Sequence, residues 1–555
     1  MSRFGWAPHI PTANRDDKIT AQPDSRVWAV VLAAAFVAAA CWRLSGITVW
    51  PVAYDGTLQY ENTLTARRLF MRWRPTPLSA GEAAWLEGTS SARVKAPPVM
   101  ESLLASLWLL SGRERPWLGG LITSGFWLLA AGLLHATSVR LLRDRAGPVV
   151  GTAWFLVTPY GILISRVFQH EAAFVAGIAW ALYWLLDPRT LKTWRGAFLG
   201  GVLAGVGLLV KPGLGLPLLV GAAVGHVLSP GIRRRATLRR AILFLALAAL
   251  PSLVYAGLFL RRETHQIIPS LLASRMMYAG WASQIDQAVG WIPFLGGVVG
   301  SWLIWRRRGS LLAIGLLGGY AAQGLVFTWA TATHAYYHLP VLIPVTLGLS
   351  ASVIHLAAVS KRRGFGALVG WGTVAIVATY AALGPLPIRQ ALADRSGERT
   401  ASTLATIGRG LGVSTRVIGL DRGYGFQLAY QWLIVRYWPS SVDLYYEQLR
   451  TGKVLRRRYR LGRYLESFAP SYFVVTAAED WRAQPGLEAF LRERYPLVRE
   501  DPLRGVWIFD LRSGKDRGSG AGASGPATAS PDSGGAPRDD ESRPQAPGAH
   551  RPFGT

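Results

Sequence analysis

Residues 98–112 read Pro98-Val99-Met100-Glu101-Ser102-Leu103-Leu104-Ala105-Ser106-Leu107-Trp108-Leu109-Leu110-Ser111-Gly112, an apolar run with one carboxylate inside it. Whether this run crosses a bilayer decides the topology of the whole chain. A crossing helix needs about 20 residues, and this run is shorter. Further apolar runs lie at 27–48, 116–139, 148–165, 171–187, 195–210, 213–229, 240–260, 289–305, 310–330, 337–358 and 364–384. Basic loops separate them: Arg140 to Arg145, Arg189 to Arg195, Arg233-Arg234-Arg235 with Arg239-Arg240, Arg306-Arg307-Arg308, and Lys361-Arg362-Arg363. If 98–112 does not cross, all five loops share a side with the basic N-terminus, as the retention of Lys and Arg in the cytoplasm requires. If it crosses, all five move outside. The run therefore reads as a juxtamembrane or re-entrant helix, tolerated where protein buries it or where it lines a cavity.

The expected fold follows. It is a polytopic α-helical membrane protein with about eleven transmembrane helices, a cytoplasmic N-terminus and a small outward-facing C-terminal α/β domain. Residues 1–26 form a disordered cytoplasmic N-terminus, and 27–384 the transmembrane domain, with a large outward loop at 49–115. Residues 385–512 alternate strand and helix patterns and form the extracytoplasmic domain. Strands are expected at 417–420, 472–476 and 505–509, and helices at 426–437 and 487–495. The Gly-, Ser-, Ala- and Pro-rich tail 513–555 is expected to be disordered.

Composition agrees. Half of the 555 residues are apolar and 17% are charged, too few charges for a soluble surface of this size. Many of the 23 Trp and 19 Tyr lie near the ends of apolar runs, where amphipathic rings favour the headgroup region. A net charge of +28 on a soluble protein would point to nucleic acid. Here the basic residues sit in short loops, so they report topology and no nucleic-acid partner is expected. The single cysteine, Cys41, excludes an internal disulfide framework. The run around it is read as a retained helix, not a cleaved signal or a lipoprotein site. No P-loop, dinucleotide fingerprint or HExxH zinc motif occurs.

The residues able to carry chemistry fall on the expected outer face. Asp55 opens the first outward loop and reads either as a general base for an acceptor hydroxyl or as half of an Asp-Gly turn. Arg166, His170 and Glu171 share the next outward turn. Glu171 begins an apolar helix, where a carboxylate complements the helix dipole or marks a functional site. With Asp55 it offers two carboxylates for a hard divalent cation, Mg or Mn. His170 has no second His at ligand spacing, which favours a structural role. Lys211, before Pro212, suits pairing with a phosphate or snorkelling to the interface; Lys95 suits the same phosphate task. His334, Tyr336 and Tyr337 read as a sugar- or lipid-binding element or as an interfacial aromatic belt.

The order of these pieces resembles the GT-C superfamily of membrane glycosyltransferases, in particular the dolichyl-phosphate-mannose protein mannosyltransferase and lipid A aminoarabinose transferase branch. The resemblance runs from about residue 27 to residue 345. Asp55 and Tyr60 match an outward loop with an acidic pair and a Tyr, although Gly56 replaces the second acid. Lys95-Ala96-Pro97-Pro98-Val99 matches a basic-Pro-Pro-Leu element, with Ala96 where the basic residue stands and Lys95 as its substitute. Thr158-Pro159, Ser165-Arg166 and Glu171 match a Ser-Pro, Ser-Arg and acid series; Lys211-Pro212 matches a Lys-Pro turn; Tyr336-Tyr337-His338-Leu339-Pro340 matches a late Tyr-Tyr-x-Leu-Pro element.

This resemblance implies transfer of a hexosyl or pentosyl group from a polyprenyl-phosphate donor to an extracytoplasmic glycan, lipid or protein, in the cell membrane. Asp55 would act as base, and Glu171 would orient its loop or bind a divalent cation. Lys211, Arg166 and Lys95 would meet the donor phosphate, and Tyr60, His170, His334, Tyr336 and Tyr337 would line the substrates. A single displacement implies inversion. Two other functions share the apolar groove and outward charges: a transporter or flippase for lipid-linked sugars, and a non-catalytic scaffold of envelope assembly.

Overall fold

The computed structural model describes residues 25–51, 56–89, 96–230, 234–259, 269–272, 274–362, 394, 396–451 and 461–513. Asp55, Lys95, the apolar run 364–384 and almost all of the two expected disordered ends lie outside the described residues.

Helix α1 (Ser25–Leu44) is the first apolar run, and α2 (Gly56–Trp73), α3 (Ala80–Thr89) and α4 (Val99–Ser111) occupy the long segment after it. The bundle continues with α5 (Leu118–Leu142), α6 (Ala146–Val157), α7 (Pro159–Arg166), α8 (Glu171–Leu185), α9 (Trp194–Leu208), α10 (Leu216–Leu228) and α11 (Arg234–Phe259). Then come α12 (Pro269–Leu272), α13 (Arg275–Ala288), α14 (Trp291–Arg308), α15 (Leu312–Val326), α16 (Thr328–Thr333), a 3-10 helix (Ala335–Val341) and α17 (Leu342–Arg362).

Among the described residues four helices are long and apolar enough to cross a membrane, or six if each of two bent pairs is one span. The other apolar helices are shorter, α4 among them. Both bends have local causes. Pro159 has no N–H to give the preceding turn and drives Thr158 to extended geometry (ψ 123°), so α6 and α7 meet at 55°. Gly290, at φ +82°, lets the chain turn between α13 and α14, which meet at 94°.

Small residues bring the helices close. A Cβ on Gly300 of α14 would lie 1.7 Å from the carbonyl oxygen of Gly348 in α17. Only glycine permits that approach, the usual means of associating helices in lipid. The bundle core, from Trp127 and Phe155 through Phe174, Leu218 and Leu316 to Leu342, is continuous.

The C-terminal unit is a five-stranded sheet ordered β2-β1-β3-β5-β4. Its strands are β1 (Arg416–Leu420), β2 (Ile434–Tyr437), β3 (Tyr472–Val475), β4 (Leu497–Asp501) and β5 (Val506–Asp510). β1 is parallel to β2 and β3, while β5 is antiparallel to β3 and β4. Alternate residues feed two cores. Ile418, Leu420, Phe473 and Phe509 pack on one face, and Val417, Val474, Val506 and Ile508 with Leu404 and Ile407 on the other. The segment 426–437, expected as one helix, is instead a short helix (Phe426–Ala429) followed by β2. Trp432 at φ +67° breaks it, and the β-branched pair Ile434-Val435 then joins the edge of β1.

This unit docks on α2 through Arg67. The guanidinium pairs with Glu114 at 2.8 Å, donates to the Tyr430 carbonyl at 2.6 Å and lies 3.8 Å from the Tyr430 ring centroid. Trp85 of α3 adds a hydrogen bond to the Ala429 carbonyl at 3.0 Å.

Candidate functional site

Buried arginines brace the break that Pro159 makes between α6 and α7. Arg43, at the end of α1, donates to the Leu156 carbonyl at 3.0 Å and to Ser165 Oγ at 2.8 Å. Arg166 donates to the Trp42 carbonyl at 3.1 Å. Thr123 and Ser124 of α5 donate to the Ser165 carbonyl at 2.8 and 3.0 Å. These bonds satisfy carbonyls left open at the bend (Leu156) and at the ends of α1 and α7 (Trp42, Ser165). They also hold the turn 167–170 at one end of the bundle, where Asn62 of α2 donates to the Phe168 carbonyl at 3.0 Å.

Two charge pairs meet on this turn. Glu171, 2% exposed, pairs with Lys211 from the irregular turn between α9 and α10. The Lys211 ammonium faces the rings of Tyr336 and Tyr337, 5.3 and 5.6 Å from their centroids, a cation–π arrangement. His334 stands beside Tyr336, with ring centroids 5.2 Å apart. The second pair joins His170 Nε2 to Glu101 of α4 at 2.9 Å. Burial alone would push the His170 imidazole down, but the carboxylates of Glu101 and Glu171 outweigh it and hold it above its ordinary value, against Lys211.

The expected site residues therefore divide. Glu171, Lys211, His170, Tyr336 and Tyr337, with His334 alongside, gather around one turn. Arg166 is turned to the end of α1 and is 5% exposed. Tyr60 sits apart in an aromatic cluster, 5.0 Å from Trp50 and 5.4 Å from Tyr430. Burial, with Tyr430 nearby, pushes its phenol up.

Three features were not anticipated. Glu101 is a member of the cluster; its signal was a lone carboxylate in an apolar run, which lipid or a dry interior makes costly. Gln169 is 1% exposed, and neither atom of its carboxamide has a hydrogen-bond partner among the described residues. Nothing in its local sequence marks it. His338 contacts the Tyr320 hydroxyl and lies 2.8 Å from the Thr331 carbonyl, in a buried network that Trp281 closes by donating to Tyr320 at 2.8 Å.

As to a divalent cation, no three His, Cys, Asp or Glu side chains converge among the described residues. Glu171 gives one oxygen to Lys211 and keeps the other without a partner there.

No protein-family model matches the chain, and no curated protein matches it in sequence. Solved structures do. The structure of ArnT from Cupriavidus metallidurans bound to undecaprenyl phosphate is 15% identical, with a TM-score of 0.56, over 87% of this chain and 98% of that one. The oligosaccharyltransferase AglB from Archaeoglobus fulgidus, in complex with an inhibitory peptide and a dolichol-phosphate, is 12% identical, with a TM-score of 0.52, over 87% and 74%. The Archaeoglobus fulgidus enzyme tethered to an acceptor peptide is 13% identical, with a TM-score of 0.54, over 88% and 74%. At these identities the likeness is one of fold: this chain shares the fold of ArnT and of the oligosaccharyltransferase AglB.

Proposed function

We propose that this chain is a membrane glycosyltransferase that moves a sugar from a polyprenyl-phosphate donor to a glycan, lipid or protein acceptor outside the cytoplasmic membrane. The observation that carries the reading is Lys211. It is a cation on an irregular turn, held by buried Glu171 and faced by two tyrosines, in a fold shared with a protein seen with undecaprenyl phosphate.

The topology that goes with this reading has about eleven crossings, including the short helices α8, α9, α10 and α15, each seated against neighbours. The N-terminus is cytoplasmic, and the charge cluster and the domain 385–512 face outward from the cell membrane. The basic loops on the opposite side support this orientation.

In the reaction, the acceptor oxygen attacks the anomeric carbon as the bond from that carbon to the phosphate oxygen breaks. The polyprenyl phosphate leaves with the bonding pair, and the acceptor proton passes to Asp55. Lys211 meets the charge growing on the phosphate, and Glu171 holds Lys211 until the donor arrives. One displacement through an oxocarbenium-like state inverts the anomeric centre. Lys95 flanks the phosphate path, and His170, His334, Tyr336 and Tyr337 line the substrates; Arg166, bonded to the end of α1, and Tyr60, buried against Trp50 and Tyr430, support the site from outside it. Gln169 offers a donor and an acceptor to sugar hydroxyls, a ligand class that satisfies both. No step is assigned to a divalent cation, because Lys211 already neutralises one oxygen of Glu171 and Asp55 would have to complete the ligand set.

The test uses the purified full chain with polyprenyl-phosphate sugars and envelope glycans, following free polyprenyl phosphate by mass spectrometry. Acceptor-dependent release by wild type and none by Lys211→Met is expected. No release with any donor, together with movement of the donor across a protein-free bilayer containing this chain, would replace the transferase with a transporter.

A further inference from the structure

We propose that the crevice at the carboxyl ends of β1 and β3 in the C-terminal unit is a glycan-binding site, and that it holds the acceptor as a neutral, hydroxyl-rich glycan. Its role as an acceptor site rests on the transferase reading above.

The sheet order puts the crevice there. β1 lies between β2 and β3 and is parallel to both. The chain leaves β1 for β2 on one side and returns to β3 on the other, so its connections diverge at the carboxyl end of β1. Open parallel sheets bind their ligands at such a switch point. Three loops form the rim, and side chains tie each to the next. Arg422, after β1, pairs with Glu479, after β3. Tyr424, after β1, meets Tyr437, the last residue of β2, with ring centroids 5.2 Å apart. Ser441, after β2, donates from its amide and its hydroxyl to Asp480, after β3, at 2.9 and 2.6 Å.

The chemistry of the rim selects the ligand. Tyr424 is 51% exposed and holds φ +53°. A tyrosine seldom adopts that left-handed backbone, and such positions gather at binding sites. Its ring offers a flat apolar face to the C–H surface of a sugar, with Tyr437 behind it. Arg422 and Glu479 are each 61% exposed. A guanidinium fork beside a carboxylate suits hydroxyl groups, which both accept and donate. An anion fits less well. Backbone N–H groups in a loop after the first strand are the usual cradle for a phosphate. Here those of Gly423 and Gly425 already donate to buried Asp421, at 3.0 and 2.7 Å, and Arg422 already has a carboxylate partner.

The crevice also adjoins the candidate site. The Arg422 carbonyl accepts from Thr57 Oγ1 at 3.0 Å, and Thr57 stands two residues after Asp55 in the sequence. A glycan seated on Tyr424 is therefore held next to the start of α2, which follows the proposed base. Binding the body of the acceptor there orients its reacting hydroxyl before transfer begins.

The experiment exposes the detergent-solubilised full chain to an array of neutral mannan, glucan, galactan and arabinan fragments, with heparin fragments as the anionic probe. Wild type is expected to bind at least one neutral glycan. Tyr424→Asn, which removes the ring and tolerates the left-handed backbone, should weaken that binding by about tenfold. Tyr424→Phe, which keeps the ring, should stay within about twofold of wild type. Unchanged elution and thermal transition identify folded variants.

Neutral glycans bound equally well by Tyr424→Asn would overturn the inference and leave the transferase reading in place. So would the binding of no neutral glycan, or Tyr424-dependent binding of heparin in their stead. If wild type and Lys211→Met bind undecaprenyl phosphate equally by native mass spectrometry, the transferase reading falls and the acceptor role of the crevice falls with it.

Discussion

Lys211 is ion-paired to Glu171 across 40 positions of sequence, and its partner is almost entirely buried. The pair brings two helix ends together and at the same time holds a cation where an anionic substrate would arrive. Structural and chemical roles can be separated because they respond differently to neutralisation.

Lys211→Met leaves Glu171 charged and buried, and is expected to cost about 2 kcal/mol. That is below the roughly 3–5 kcal/mol of a fully buried pair, since Lys211 retains 20% side-chain exposure. Lys211→Met with Glu171→Gln removes both charges and should restore most of the thermal stability. Neither variant should transfer sugar. Recovery of transfer in the double variant would reduce Lys211 to a structural cation.

Asp55→Asn should lower transfer by about 10²-fold or more, the scale of a general base, while undecaprenyl phosphate still binds. The first turn of α2, which follows it, is held where Thr57 Oγ1 donates to the Arg422 carbonyl at 3.0 Å. Loss of transfer therefore need not accompany loss of fold. Turnover retained by Asp55→Asn would make it a turn residue.

Arg67→Ala should loosen the C-terminal unit. It removes a buried ion pair, a bond to the Tyr430 carbonyl and stacking on Tyr430 and on Trp432, 4.6 Å away. Burial alone would lower its pKa, but Tyr430 and Glu114 more than compensate and keep it charged. Faster proteolysis between residues 394 and 513 is the expected readout. Arg67→Lys should rescue only part of this, because an ammonium keeps the charge but lacks the planar fork.

Asp421, at the end of β1, is fully buried. Burial pushes its carboxyl up to about 6, against backbone N–H groups of Gly425 and Gly423 that bind it at 2.7 and 3.0 Å. An acid whose folded value exceeds its unfolded value loses stability as pH rises between the two. Asp421→Asn, whose oxygen can accept the same two bonds, should therefore stabilise the unit by up to roughly 3 kcal/mol at neutral pH, and the gain should vanish below about pH 4. A gain independent of pH, measured by thermal unfolding, would assign the effect to packing.

Much of the architecture was legible because it repeats locally. Apolar runs announced helices, short basic loops suggested their order, and period-two apolar segments announced β1, β3 and β5. The run 148–165 reads as one span, but the structure bends it by 55° at the Thr158-Pro159 step, where the proline lacks an N–H. Where neighbours outvoted local preference, the reading slipped. The segment 426–437 looks helical by spacing, yet the open edge of β1 drew its second half into a strand. The strand β4 has an alternating pattern that only pairing with β5 makes evident.

The candidate site was legible by residue type but not by partnership. Glu171, Lys211, Tyr336 and Tyr337 stand out as polar or aromatic breaks between apolar runs. No sequence pattern says that Lys211 meets Glu171, that His170 meets Glu101, or that Tyr60 belongs to a separate cluster under Tyr430.

From the sequence alone follow the helical membrane class, the appended α/β unit and the likeness to GT-C enzymes, because each depends on hydrophobic period and on the order of motifs along the chain. The tertiary structure decided the charge partners. An ion pair in a dry interior depends on distances between segments far apart in sequence, and those distances exist only once the helices have packed.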